Sequence, residues 1–419
     1  MNQENKIKEQ MSISMPSALE NIMIVLISMT DTFFISRLGS ETIAAVGAMI
    51  SVIFFINLGM KAIQVSNNVT VAHAIGGNEK EKIRNITGNA IWLTIIIQII
   101  LSIITIILSP VIPNAFKVSD ICLTYLYIRL IGIVPSGVGM IVAGYQRTLG
   151  KSKFVMKIRF ISLILNGVLD YIAIKMNYGI VGVAWATVIT DTINTVILLI
   201  YSNKQIVYKI NKKYITELLK LAKFGVASRI FDRGGKLFLN IILSRIGVYE
   251  YAAHIVVNRI EDFVNDFCYG FGIGITTTIG IANGKSDNIE YTKIRYAINK
   301  IIKVFSIILP ILICILLIVL LPYMLKEEQA LKAGYQLAPF IILYSFLIPI
   351  HYKYSSIIEG LKEFEFSSKL SAITNVFKIV FSYVLCKILG IRGYWITFII
   401  ISIISIIITK RKEKNIVSI

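Results

Sequence analysis

Charge is the scarcest ingredient of this 419-residue chain: 16% of its residues are Asp, Glu, Lys or Arg, while 56% are hydrophobic. With a mean hydropathy of +0.74, that balance excludes an ordinary soluble protein of two or three domains. Cysteine is nearly missing too. Cys122, Cys268, Cys314 and Cys386 are scattered without a CxxC pair, which leaves them as small apolar packing residues. The three histidines, His73, His254 and His351, are equally dispersed, so no structural-zinc pattern is visible. Nor is there a nucleophile paired with a base, a metal-ligand set or a phosphate-binding loop. The chain does not read as an enzyme.

What is present is apolar sequence in long runs. Residues 91–108 and 397–408 contain no charge, and the first run approaches the roughly 20 residues needed to cross a bilayer core as a helix. The earliest run extends from near residue 11 to residue 35. That is too long for a signal-peptide core, and no small-residue cleavage signature follows, so it is expected to remain as a first span. Hydropathy predicts twelve spans, near residues 13–36, 43–72, 88–110, 120–144, 155–176, 180–202, 219–246, 250–282, 297–322, 333–358, 366–389 and 392–409.

The net charge of +19 raises the question of nucleic acid, and the placement of the charges answers it. Basic residues gather in alternate gaps between spans: Lys80, Lys82 and Arg84; Arg147, Lys151, Lys153, Lys157 and Arg159; Lys204, Lys209, Lys212 and Lys213; Lys285, Lys293 and Arg295; then residues 410–414. Intervening gaps hold one or two, as at Arg37, Lys175 and Arg245. This is the positive-inside pattern; it predicts both termini in the cytoplasm and no nucleic-acid partner.

The chain also resembles itself. At an offset of about 208 residues, Ala44 and Ala45 fall on Ala252 and Ala253, Ala74 on Ala282 and Gly76 on Gly284. Near an offset of about 210, the GIVG from Gly179 falls on the GIRG from Gly390, Thr187 on Thr397 and Asn166 on Asn375. Six spans per copy is an even number, so the copies share one orientation and form parallel repeats about an axis along the membrane normal. The expected division is a first lobe over residues 1–202, a cytoplasmic linker over 203–217 and a second lobe over 218–419.

An ionisable side chain inside a span costs at least a few kcal/mol, so its position is informative. Asp31 lies in the first span, and Asp170 in the fifth, four residues after Asn166 and so on the same helical face. Thr187 adds a hydroxyl in the sixth. Two carboxylates, an amide oxygen and a hydroxyl are hard donors suited to a proton or a sodium ion. Close carboxylates cannot both ionise cheaply, so one takes up a proton or the pair requires a cation. The second half does not repeat this set: Asn375 is kept, but Asp170 meets Ile379. That half carries Asp232 in the seventh span and Arg259, Glu261, Asp262 and Asp266 in the eighth, as helix-positioning ion pairs or, for Asp232, Glu261 and Asp266, a second cation or substrate site. Pro16, Pro135, Pro349 and the glycines at 270, 272 and 274 mark points where helices can bend.

At this point the residues resemble the MATE family, the multidrug and toxic compound extrusion antiporters. The resemblance covers essentially the whole chain. It rests on the order and spacing of Pro16 and Asp31 in MPSALENIMIVLISMTDTFFISRLG, GYQRTLGKSKF from Gly144, LNGVLD ending at Asp170, GIVGVAWAT from Gly179 and AAHIVVNRIE from Ala252. It implies an all-α, V-shaped fold of twelve transmembrane helices in two six-helix lobes, driven between inward-open and outward-open forms by a proton or sodium gradient. It also implies an N-lobe ion site at Asp31, Asn166, Asp170 and Thr187, a bend of the first helix at Pro16, and a cation-binding role for Asp232. Two departures weaken the C-lobe part: the tenth span lacks a central acid, Glu359 lying at its end, and Gly280 is followed by Ile281 where the family usually has Gln.

The sequence thus predicts a monomeric bacterial plasma-membrane antiporter for small, drug-like or cationic organic compounds, with a proton or sodium as coupling ion and no other cofactor. A lipid-linked saccharide flippase of the same superfamily would call for a cationic central cavity and extra helices, of which there is no sign. A non-transporting scaffold or receptor would have no need of buried carboxylates.

Overall fold

A computed structural model of the chain describes residues 3–38, 40–113, 121–243, 245–325 and 327–417. Among them run twelve long helices: α1 (Gln3–Ser36), α2 (Ser40–Gly76), α3 (Lys80–Leu108), α4 (Ile121–Thr148), α5 (Ser152–Lys175), α6 (Gly179–Ser202), α7 (Lys212–Leu243), α8 (Val248–Lys285), α9 (Asn288–Met324), α10 (Glu328–Gly360), α11 (Phe364–Leu389) and α12 (Arg392–Val417). A short 3-10 turn, Ser109–Val111, follows α3, and no strand occurs among the described residues. The chain is an all-α, multi-pass membrane protein. Nine of the helices are long and apolar enough to cross a bilayer by composition alone. The other three, α5, α7 and α8, are the ones carrying Asp170, Asp232 and Glu261. Their charged residues, mostly basic in α5 and α7, leave them without a stretch as apolar as those of the other nine.

The packing repeats with a shift of six helices. In the first half α2 packs on α3 and α4, α3 on α4, and α6 on α4 and α5; in the second, α8 packs on α9 and α10, α9 on α10, and α12 on α10 and α11. The matched GIVG and GIRG motifs show why the sequence repeats. Gly179 and Gly390 sit at φ of +55° and +60°, a backbone region that side chains disfavour. Gly182 and Gly393 let the last helix of each repeat approach the one before it: a Cβ on Gly182 would stand 2.6 Å from that of Ala173, and one on Gly393 2.4 Å from the Leu385 backbone.

Two compact units result, residues 19–226 and residues 1–18 with 227–419. They divide inside α1 and α7 instead of at the linker. In the first unit, one apolar core contains Ile35, Met49, Tyr125 and Val183, and another Ile86, Ile141, Leu198 and Leu218. Leu218 and Ala222, one turn apart on the start of α7, are 0% and 4% exposed there, so α7 extends back to Lys212, into the segment expected as linker. The remaining linker lies along α3: Asn89 donates to Lys209 O and accepts from Asn211 N, and Trp92 Nε1 donates to Tyr208 O. In the second unit the core runs through Phe271, Ile298, Ile313, Leu337 and Trp395. The first residues of α1 belong to it, with Gln10 Oε1 accepting from Thr278 at 2.8 Å and Ser14 against Gly274.

Candidate ion and substrate sites

In the first unit the four side chains expected together come together. Asp31 on α1 is 6% exposed, and Thr187 Oγ1 on α6 donates to its Oδ2 at 3.1 Å. Asn166 and Asp170, one turn apart on α5, are both fully buried. Gly167 between them lies against Thr30, which sets α5 beside α1 at this level, and the Asp31 and Asp170 carboxyls face each other. What they lack is hydrogen bonds. Asp31 Oδ1, both Asp170 oxygens and both amide atoms of Asn166 are buried without a hydrogen-bond partner among the described residues. Leaving a buried polar atom unsatisfied costs about 1–3 kcal/mol, more for a charged group, so such a cluster calls for a proton, a cation or water among its oxygens. The donor set, all hard oxygen, fits a proton or a cation.

Arg129 on α4 was not among the residues the sequence singled out. It lies within electrostatic range of Tyr125, Asp191, Asp31 and Asp170, in that order, and its Nε is buried with no hydrogen-bond partner among the described residues. Deeper along the helices Arg159 of α5 pairs with Asp191 of α6 at 3.6 Å. A lone arginine in an apolar run is the signal that could have found Arg129.

The second unit handles its acids differently. Asp232 Oδ1 on α7 accepts from Ser371 Oγ and Asn375 Nδ2 of α11, both at 2.7 Å. It faces a cavity of about 110 Å³ bordered by His351, Thr374, Lys378 and Ser402. Glu261 and Asp266 do not join it. Glu261 on α8 is 4% exposed and accepts a short bond from Asn265, while Asp262 pairs with Lys236 at 3.3 Å and accepts from Asn258. Asp266 lies one turn further along α8. Around Glu261 the unit is aromatic: His254 meets Tyr394 edge-on at 4.7 Å and Trp395 at 5.7 Å, and Tyr344 contacts Trp395 and Phe398.

Pro16 sits inside α1, which continues through it as one helix. On one side Ser14 and Gln10 hold the helix to α8. On the other, four residues on, Glu20 is gripped by Arg147 of α4 through contacts of 2.6 and 2.7 Å, both side chains almost fully buried. The boundary between the two units falls at residues 18 and 19, between these anchors.

The MatE family model matches residues 16–172 and again 226–384, once per repeat. Among curated proteins, the chain is 25% identical over 295 residues to the probable multidrug resistance protein NorM of Thermotoga maritima, covering 66% of this chain and 63% of that one. It is 26% identical over 301 residues to the protein of the same name from Oceanobacillus iheyensis, covering 67% of each. The matched region therefore spans just under two thirds of the first relative's length. Among solved structures, the MATE transporter VcmN of Vibrio cholerae in its bent form superimposes with a TM-score of 0.92 at 16% identity, covering 99% and 98% of the two chains. A MOP-superfamily transporter from Pyrococcus furiosus, whose binding pocket is described as having reversed polarity, does so with 0.88 at 19% identity, covering 99% and 96%.

Proposed function

The chain belongs to the MatE family, and from that premise we propose that it is a cation-coupled antiporter exporting small amphipathic or cationic organic compounds across the bacterial plasma membrane, with both termini in the cytoplasm. The observation that carries this reading is the cluster of Asp31, Asn166, Asp170 and Thr187, buried together with five oxygen and nitrogen atoms unpartnered. Such a group has two stable forms, loaded with a proton or cation and unloaded. Loading removes the repulsion between two facing carboxylates and lets α1, α5 and α6 close on one another; unloading drives them apart. Energy reaches the substrate only if ion and substrate bind the two conformations with different affinity. Asp31 lies on the helix that contains Pro16, and a proline removes one backbone hydrogen bond, so α1 can bend there between its two anchors at little cost.

The carboxylates of the second unit support an amphipathic cation as cargo. Glu261 and Asp262 supply negative charge, and the partly buried ring of Tyr344 lies near them. Purified protein in proteoliposomes should expel a cationic dye under an imposed proton or sodium gradient. Asp31→Asn and Asp170→Asn should abolish gradient-driven efflux in protein that still folds. Wild-type rates in both variants would overturn the coupling site.

A further inference from the structure

We propose that Arg129 is a built-in counter-cation of the Asp31–Asp170 pair, which leaves the site short of a single positive charge and reserves that place for one proton in preference to a sodium ion. The inference rests on the coupling site proposed above and adds its stoichiometry and ion choice.

Geometry puts Arg129 within one helical turn of the depth of the carboxylates. On α4, Tyr125, Arg129 and Gly132 follow at intervals of four and three residues and so share one face. That face meets α6: a Cβ on Gly132 would stand 2.7 Å from Val188, the neighbour of Thr187, and Thr187 holds Asp31. Tyr125, one turn before Arg129, is 1% exposed in the same core as Ile35 and Val183. Depth agrees as well. Asp31 and Asp170 each lie five residues before the end of their helix, and Arg129 and Thr187 each lie eight residues after the start of theirs. At 1.5 Å per residue these are about 8 and 12 Å below the same face.

The charges then decide what else can enter. The groups facing this space are Asp31 from α1, Tyr125 and Arg129 from α4, Arg159, Asn166 and Asp170 from α5, and Thr187 and Asp191 from α6. Asp191 lies 3.6 Å from Arg159 and also bears on Arg129, ahead of Asp31 and Asp170. Three carboxylates against two guanidiniums leave one negative charge in excess. Arginine does not release its proton, so the deficit is fixed at one unit. A proton fills it by bonding covalently to one carboxyl oxygen, needs no coordination shell, and donates a hydrogen bond to an oxygen that has none. A sodium ion would need several oxygens from the same set and would sit beside a permanent positive charge in a medium of low dielectric.

The test uses full-length wild-type protein with Arg129→Gln and Arg129→Lys in proteoliposomes. Dye efflux is measured under a proton gradient without sodium and under a sodium gradient without a proton gradient, with proton flux recorded by a trapped pH dye. Wild-type and Arg129→Lys should run on the proton gradient, ignore sodium and move one proton through this site per cycle. Arg129→Gln leaves two uncompensated carboxylates; its proton count should rise toward two, or sodium-driven efflux should appear at least about tenfold above the wild-type level. Wild-type efflux driven by sodium alone, or an Arg129→Gln variant with unchanged proton count and sodium response, overturns the inference. Should Arg129→Gln fail to fold, the wild-type sodium arm and Arg129→Lys still decide. Unimpaired Asp31→Asn and Asp170→Asn variants would instead sink the coupling site itself, whatever Arg129 does.

Discussion

Asp31 meets Asn166 and Asp170 between the first and fifth helices of one repeat; Asp232 meets Asn375 between the first and fifth helices of the other. The two asparagines occupy matching positions, and the carboxylates near them end in opposite conditions. Asp232 has two donors at 2.7 Å on one oxygen, whereas Asp170 is fully buried and has none on either. A satisfied carboxylate is a stable part of the scaffold. An unsatisfied one changes state when a proton or cation arrives. On the coupling mechanism proposed above, the repeat keeps its framework and gives one half the component that switches.

The largest test of that contrast is substitution of the two acids in parallel. Asp170→Asn is expected to lower gradient-driven efflux at least about tenfold, equivalent to about 1.4 kcal/mol in the driven step. For Asp232→Asn the amide oxygen can still accept from Ser371 and Asn375, so the loss should stay below about threefold. Efflux assays on matched amounts of folded protein compare them. Equal damage from both would mean that the second unit also handles the coupling ion.

The next contrast concerns ion pairs. Glu20 and Arg147 have side chains 3% and 6% exposed, and breaking such a pair leaves a charge stranded in the interior. Glu20→Gln should cost about 3–5 kcal/mol, read as an earlier thermal unfolding in detergent. Lys236 and Asp262, at 39% and 35% exposure, form a pair that solvent screens. Lys236→Ala should cost less than about 1 kcal/mol. A Glu20→Gln variant as stable as Lys236→Ala would show that the interior around Arg147 admits water.

These residues also show what could be read in advance. Asp31, Asn166, Asp170 and Thr187 were legible because an acid in an apolar run is costly and therefore marks a cavity or partner. The same rule could have found Arg129, set among Leu, Tyr and Ile in α4, but it was passed over, and nothing local tells which helix it faces. Glu20 and Arg147 were individually visible in motifs, yet they are 127 residues apart and no periodicity joins them. Likewise, Ser371 became a partner of Asp232 only once α7 and α11 were packed together. The twelve helices were plain because hydropathy accumulates along a segment. The units divide inside α1 and α7, where the chain remains helical on both sides of the boundary, so no break in the sequence marks the place.

The smallest effects lie in neighbouring glycines of α7 and sharpen the reading of Asp232 as a satisfied group. A Cβ on Gly235 would stand 2.8 Å from Asn375 Oδ1, while one on Gly234 meets nothing within 4 Å among the described residues. Gly235→Ala must push the Asn375 amide, and with it the donor to Asp232, for an expected loss of about 1 kcal/mol. Gly234→Ala removes backbone freedom from the unfolded chain without a new contact and should stabilise the protein by about 0.5–1 kcal/mol. Thermal unfolding of the two variants in one detergent reads both signs. If Gly235→Ala is as well tolerated as Gly234→Ala, the bond from Asn375 to Asp232 contributes little, and the difference between the two halves narrows to the missing counterpart of Asp170.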